Sequence, residues 1–180
     1  MTRRCSPQVA LCAIMLVVVS ACASGDPVAQ SADGWVTVTD EPSGARIALP
    51  EKAQPDASTA ADANGTQVSL RQYAATVADG AVEVGFNVLE TDGGQYDLET
   101  GVREVATSLH GEVVSAQPTD IEGHAAIDVE ISYGAGSVVL FQLVSADDYV
   151  LQPLVAGPAS RREVVEETFE VLTESLDVGS

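Results

Sequence analysis

Cys22 is the residue whose position in this chain points most directly to chemistry. It follows an uncharged apolar segment at residues 9–19 and two small residues at 20–21, and Arg3 and Arg4 precede that segment. The apolar segment has about a dozen residues, short of the roughly 20 that a membrane-spanning helix needs but typical of an export signal. The pattern therefore predicts an export signal that ends immediately before a cysteine thiol.

The stretch from Leu16 to Cys22 resembles the lipobox that closes a bacterial lipoprotein signal peptide. The resemblance implies that the Cys22 thiol takes a diacylglyceryl group and becomes the first residue after cleavage, with two or three acyl chains such as palmitate. Two chains hold a protein stably on a membrane, so the expected location is the extracytoplasmic face of the cell membrane. The alternative is an ordinary secreted protein with a chance cysteine near its cleavage site.

The two histidines, His110 and His124, are the next candidates for chemistry. His110 lies at a predicted helix end and His124 at a predicted strand entrance, and neither has a second ligand at a metal-binding spacing. Residues 62–65 echo part of a calcium loop, but the glycine falls at the fourth position instead of the sixth. We therefore expect no metal site, and Asn64–Gly65 predicts a hairpin turn.

Carboxylates are abundant, but their spacing does not indicate catalysis. Asp147–Asp148 is typical of a turn, and Glu166–Glu167 of a solvated helix face. The chain has no G-x-S-x-G sequence and no glycine-rich phosphate loop. We therefore predict that the protein is not an enzyme, with no catalytic residues and no cofactor.

Charge and cysteine content narrow the class of protein further. The 180 residues include 27 acidic and 8 basic ones, for a formal net charge of −19. The electrostatic field of this negative charge opposes binding to nucleic acid and flat adsorption to anionic lipid. All three cysteines lie at or before position 22, so packing alone must hold the exported domain together.

The sequence predicts a division of the chain into three parts. Residues 1–21 form the predicted lipoprotein signal peptide, and residues 22–33 the lipidated cysteine with a small, polar, flexible tether. Residues 34–180 are predicted to form a single domain of ordinary length.

Hydrophobic periodicity predicts strands through most of that domain. Residues 35–39 and 45–49 read as a strand pair, 51–61 as a loop or a ragged edge strand, and 66–73 and 81–89 as a meander. Later strands are expected at 112–115, 124–133, 137–144 and 149–155, with a turn at Pro118 and an edge or bulge near Pro153. The segment 137–144 is apolar on both faces and is therefore predicted to be central.

Two helices are predicted from apolar residues spaced by three and four. The first begins after Asp97 as N-cap and stops near Gly111. The second begins with a capping box at Ser160–Glu163. Its apolar stripe, which we expect to be buried on the sheet, contains Val165, Phe169, Leu172 and Leu176.

This order of elements behind a lipobox resembles the secreted lipoproteins of the Mog1/PsbP-like superfamily. The residues that carry the resemblance are Ile47–Pro50, Gly123–Ala126 at the entry to a long alternating strand, and Phe169. The resemblance implies an α/β (α+β) fold, a three-layer αβα sandwich with a mostly antiparallel central sheet. It implies no shared catalytic residues, because members are mostly binding and accessory proteins.

Two functional classes remain open. The first is a non-enzymatic accessory or binding module of the cell envelope, held to the membrane through acyl chains on Cys22 and facing an envelope protein partner. The second is a carrier of a small hydrophobic ligand or lipid in a cavity between sheet and helices. A filled core would favour the module, and an apolar tunnel would favour the carrier.

Overall fold

The computed structural model describes residues 34–61, 67–91 and 96–179. The predicted signal peptide, Cys22, the tether and the Asn64–Gly65 turn lie outside these residues. The strands and helices in chain order are β1 Val36–Thr39, β2 Arg46–Leu49, β3 Asp56–Ala61, β4 Gln67–Val77, β5 Val82–Glu90, α1 Leu98–Leu109, β6 Glu112–Ile121, β7 His124–Tyr133, β8 Ser137–Ala146, β9 Tyr149–Pro158 and α2 Arg162–Glu174.

Seven strands form one sheet in the order β3-β4-β5-β9-β8-β7-β6. Every neighbouring pair of described strands in it is antiparallel. The chain leaves the centre of the sheet after β5, crosses one face as α1, and returns from the far edge by successive hairpins until β9 lies beside β5. Hairpin connections of this kind need only short turns, as the sequence indicated.

The alternation of side chains along the strands gives the sheet two apolar faces. One face packs against α1 around Phe141, Leu143 and Ile131, and the other packs against α2 around Phe86 and Leu151. A two-stranded ribbon, β1 paired with β2, covers part of the α2 face. The predicted three-layer αβα sandwich with an antiparallel sheet is therefore confirmed.

The ribbon is held to the rest of the domain by the segment that follows α2. Arg46 and Asp177 exchange two backbone hydrogen bonds of 2.8 and 2.9 Å, and the Ala48 amide donates to the Ser175 hydroxyl at 2.9 Å. The beginning and the end of the described chain therefore close on each other.

The predicted turn at Pro118 is wrong, because β6 runs through it. Pro118 lies opposite Ile127 in the strand that forms one edge of the sheet. An edge strand tolerates proline, since the missing N–H need not face a partner strand. A shift of register between Val113 and Ser115 also interrupts this edge. Both features oppose edge-to-edge pairing with another chain.

The expectation that Pro153 lies at an edge or a bulge is also wrong, because β9 is an inner strand. β8 and β9 pair at Phe141–Leu154 and again at Val144–Leu151, with the same register on both sides of the proline. The missing N–H removes pairing locally without inserting a residue. The central position of β8 is confirmed by its neighbours β7 and β9.

The predicted N-cap of α1 is confirmed, whereas the C-terminal end of α1 and the start of α2 differ from the predictions. Asp97 caps α1, because its carboxylate accepts the Thr100 amide at 3.1 Å. His110 takes the left-handed position at the C-terminal end with φ of 50°, where the sequence favoured glycine. The predicted capping box of α2 is wrong, since a 3-10 turn at Ala159–Arg161 replaces it and α2 has no side-chain N-cap.

Candidate functional site

The lipidation site predicted at Cys22 lies outside the described residues and stays a prediction. The two histidines lie apart from each other, at the end of α1 and at the first position of β7. Across the described ranges, no three side chains of histidine, cysteine, aspartate or glutamate form a metal-binding group. No helix in the same ranges is long and apolar enough to cross a bilayer.

The acidic pairs do not form a site either. Asp147 and Asp148 make the turn between β8 and β9, where Asp147 has a φ of 41°. Glu166 accepts a hydrogen bond from Arg162 at 3.1 Å, one turn earlier on the exposed face of α2. Both pairs lie where the sequence predicted, in a turn and on a helix.

A buried ion pair that the sequence analysis missed lies between the ribbon and the sheet. Asp40 has no exposed surface, and the side chain of Arg71 is only 10% exposed. The guanidinium donates from Nε to Oδ1 at 2.6 Å and from Nη2 to Oδ2 at 3.0 Å. This two-bond geometry is the strong form of an arginine–carboxylate pair.

Three further hydrogen bonds complete the environment of the Asp40 carboxylate. The Tyr73 hydroxyl donates to Oδ1 at 2.9 Å, and Ser43 donates to Oδ2 from its amide at 3.1 Å and its hydroxyl at 2.7 Å. A buried charge is tolerated when it is paired and hydrogen-bonded in this way. The carboxylate therefore joins the turn after β1 to strand β4.

Local sequence explains how these side chains meet. Asp40 follows β1, and the turn from Asp40 to Ala45 is closed by backbone bonds of 2.9 and 2.8 Å that Asp40 makes with Ala45 and Gly44. Arg71 and Tyr73 are two residues apart on β4, so both point to the α2 face of the sheet. The alternation Val68-Ser69-Leu70-Arg71 predicts that Arg71 lies on the face of β4 opposite Val68 and Leu70, and the ribbon buries it on that face.

The pKa values of the three groups are coupled by their contacts. Burial opposes ionisation of Asp40, but hydrogen bonds from Arg71, Ser43 and Tyr73 outweigh it, so the pKa of Asp40 lies below its ordinary value. The hydrogen bond with Asp40 raises the pKa of Arg71. Burial, with the hydrogen bond to Asp40, raises the pKa of Tyr73 to about 12. The charged pair and the neutral phenol are thus fixed across the physiological pH range.

Tyr149, the first residue of β9, contacts both Arg71 and the ribbon turn. Its ring lies under the Arg71 guanidinium, with 5.6 Å from Cζ to the ring centroid, and its hydroxyl donates to the Pro42 carbonyl at 3.0 Å. A cation over an aromatic face adds to the attraction. Tyr149 therefore holds the arginine from one side and the ribbon turn from the other.

An open cleft of about 520 Å³ lies beside this network, between the ribbon and the segment that precedes β3. Arg71 and Tyr73 line it together with Lys52, the only lysine in the chain. The remaining lining residues are Thr37, Val38, Thr39, Glu41, Pro42, Ala53, Gln54 and Pro55. The cleft combines apolar walls, hydroxyls, two cations and the Glu41 carboxylate, and small-molecule sites likewise join apolar walls to a few polar groups.

Two glycines, one in α1 and one in β9, show that the sheet and the helices pack closely where each of them lies. A Cβ at Gly101 of α1 would lie 2.5 Å from the Tyr96 hydroxyl oxygen and 3.0 Å from Leu143. A Cβ at Gly157 of β9 would lie 3.0 Å from Val165 of α2. The side chains that face these two glycines therefore fill space that a carrier would need for its ligand.

A row of amide side chains crosses the α1 face of the sheet. Asn87 donates from Nδ2 to Oε1 of Gln152 at 3.0 Å, and both residues are buried. The Nε2 group of Gln152 has no hydrogen-bond acceptor within the described ranges. These hydrogen bonds link the neighbouring strands β4, β5 and β9 through their side chains.

Comparison with known proteins supports the fold and leaves the activity open. No protein-family model matches the sequence, and no curated protein matches it. Among solved structures, the chain is similar to the solution structure of cyanobacterial PsbP (CyanoP) from Synechocystis sp. PCC 6803. The TM-score is 0.56 at 14% sequence identity, over 88% of this chain and 98% of that chain. The domain has a PsbP-like fold.

Proposed function

We propose that this protein is a lipid-anchored, non-enzymatic accessory module on the extracytoplasmic face of the cell membrane. The observation that carries the proposal is the position of Cys22, directly after an apolar segment of signal length and two small residues. Acyl chains on that thiol would hold the domain at the membrane through the tether at residues 22–33. The PsbP-like fold of the domain supports an accessory role over a catalytic one.

The charged groups of the described domain also favour a structural and binding role. The fully buried Asp40 uses its two carboxylate oxygens to hold Arg71, Tyr73 and Ser43. A carboxylate that acts as general acid or base must instead be free to exchange a proton with a substrate. Asp40 therefore supports the architecture of the domain.

Close packing favours the accessory module over the carrier. The contacts at Gly101 and Gly157 place α1 and α2 directly against the sheet. Phe86, Phe141 and Leu143 fill the two interfaces with no exposed surface. A carrier would need open volume at these interfaces to hold an acyl chain or a similar ligand. We therefore place the interaction surface of the protein on its exterior.

The anchor is tested by Cys22→Ala in the native host. The variant should accumulate as uncleaved or soluble precursor without lipid mass, because the acylated thiol would be absent. Intact-mass analysis and incorporation of a labelled palmitate analogue measure the outcome. Cys12→Ala is the matched control, since Cys12 lies inside the predicted apolar segment and should leave processing unchanged. Mature wild-type protein that begins elsewhere and carries no lipid would refute the anchor.

A further inference from the structure

The guanidinium of Arg71 has donors that the buried ion pair does not use. Nε and Nη2 each donate to Asp40, and Nη1 donates to Ser69 at 3.2 Å. A guanidinium carries five N–H groups, so one N–H on each terminal nitrogen has no acceptor within the described ranges. Arg71 lines the cleft while only 8% exposed. These two N–H groups belong to one planar, permanently charged group and can each donate to an oxygen of an anionic ligand.

The charges around the cleft favour a ligand with a single negative charge. Lys52 and Arg71 contribute two cations, and Asp40 and Glu41 oppose them with two carboxylates. The surroundings are therefore close to neutral in a chain whose formal net charge is −19. With the local charges balanced, the field of the rest of the protein repels a singly charged ligand about half as strongly as a doubly charged phosphate.

The walls of the cleft indicate the rest of the ligand. Val38, Pro42, Ala53 and Pro55 give apolar contact, and Thr39 adds a hydroxyl. The volume of about 520 Å³ lies within the range of roughly 300–1,000 Å³ that small-molecule sites occupy. We infer that this cleft binds a small organic acid, with its carboxylate on the free N–H groups of Arg71 and beside Lys52, and its apolar body against the prolines.

This site goes beyond the proposed accessory role and does not depend on the lipid anchor. The binding residues all lie in the domain, so loss of lipid from Cys22 would leave the cleft unchanged. The anchor and the cleft can therefore fail independently, and their experiments have different readouts.

The experiment titrates benzoate into the isotope-labelled full chain, purified in detergent, and follows its nuclear magnetic resonance spectrum. We expect saturable shifts of the Thr39, Lys52 and Ala53 amides and of the Arg71 Nε–H, because these groups surround the predicted carboxylate. Benzamide is the matched neutral probe, with the same ring and nearly the same shape. It should cause much smaller shifts, since it lacks the charge that Arg71 and Lys52 recognise.

Variants then assign the recognition to the cleft. Lys52→Gln removes an exposed cation without disturbing the buried pair, and the Kd for benzoate should rise about three- to fivefold. Arg103→Gln removes another exposed cation from α1, on the other face of the sheet, and should leave the Kd unchanged. Equal losses in both variants would indicate a general charge effect and overturn the assignment.

Three other results would also overturn the inference. Benzamide shifts as large as the benzoate shifts would show that the charge is not recognised. Tighter binding of inorganic phosphate than of benzoate would exclude an organic acid as the preferred ligand. Shifts confined to residues outside the cleft, or none up to the solubility limit of benzoate, would show that the cleft does not bind carboxylates.

Discussion

The Asp40 carboxylate accepts hydrogen bonds from two segments that are distant in sequence. Ser43 belongs to the turn that follows β1, whereas Arg71 and Tyr73 belong to β4. Because Asp40 is fully buried, removal of its charge leaves a buried guanidinium without its partner, which is far more costly than loss of a surface ion pair. The attachment of the ribbon to the sheet therefore depends on one carboxylate.

Asp40→Asn should lower the free energy of unfolding at pH 7 by about 3–5 kcal/mol, the usual cost when one partner of a buried ion pair is removed. Chemical denaturation measures the change. Asp177→Asn is the matched control, because Asp177 forms an exposed ion pair with Arg46 at 2.5 Å and should cost much less. A loss at Asp40 no larger than the loss at Asp177 would contradict the role assigned to the buried pair.

The same variant predicts a dependence on pH. The pKa of Asp40 is lower in the folded protein than its ordinary value of 3.8, so the folded state binds this proton less readily than the unfolded state. The stabilisation is therefore complete above pH 3.8 and is lost as the pH falls through the lower folded-state pKa. The difference between wild type and Asp40→Asn should shrink below about pH 4. A difference that stays constant down to pH 2 would argue against this linkage.

At the scale of elements, the alternation of apolar and polar residues predicted which face of a strand a side chain lies on. It predicted less well whether that face is covered by another element. The alternation over residues 124–133 predicts that Ile127, Val129, Ile131 and Tyr133 point inward; the first three are buried and Tyr133 is partly buried. The same period separates the faces of β4 but gives no information on what covers each face. The pattern therefore predicts that Arg71 lies opposite Val68 and Leu70, but the ribbon that buries it comes from a distant part of the sequence. Tyr73 and Val77 on the same face were the available signal that this face is covered.

Position within a sheet is equally hard to obtain from local sequence. Pro118 and Pro153 carry the same local constraint, yet one lies on an edge strand and the other on an inner strand. The order of strands decides the difference, and it depends on the crossover of α1 and on the return of β9 to β5. The cleft was unpredictable for the same reason, because its walls come from three segments that only the fold brings together.

Residues of α2 are buried to different extents, so their substitution by alanine should reduce stability by different amounts. Leu172 is fully buried, so Leu172→Ala should cost about 2–5 kcal/mol in a thermal or chemical melt. Phe169 was expected to be buried but is only partly so, at the margin of the same cluster. Phe169→Ala should therefore cost about 2 kcal/mol, less than the 3–5 kcal/mol of a fully buried phenylalanine.

Glu170→Gln provides the control on the exposed face of α2 and should change stability by less than about 0.5 kcal/mol. If α2 were instead a docking helix that packs weakly on the sheet, Leu172→Ala would leave the melting transition almost unchanged. That result would contradict the three-layer packing.

At the scale of the whole molecule, acidity is the dominant feature. The chain has 27 carboxylates and 8 basic residues, and Arg3 and Arg4 belong to the predicted signal. Pairs such as Arg71–Asp40 and Arg162–Glu130 neutralise only a few carboxylates. The remaining charges repel one another across the surface and also repel an anionic membrane. Under the proposed lipid anchor at Cys22, the predicted tether at residues 22–33 would keep such a domain close to the membrane without surface contact.

Net repulsion within the folded domain predicts that salt stabilises it. The melting temperature at pH 7 should rise as sodium chloride increases from about 0.01 to 1 M, because the screening length falls from about 30 to 3 Å. Compaction brings like charges together, so screening favours the folded state more than the expanded unfolded chain. The control is the same titration near pH 3, where most carboxylates are protonated and the rise should largely disappear. A flat or falling curve at pH 7 would mean that the ion pairs, weakened by salt, contribute more to stability than repulsion removes.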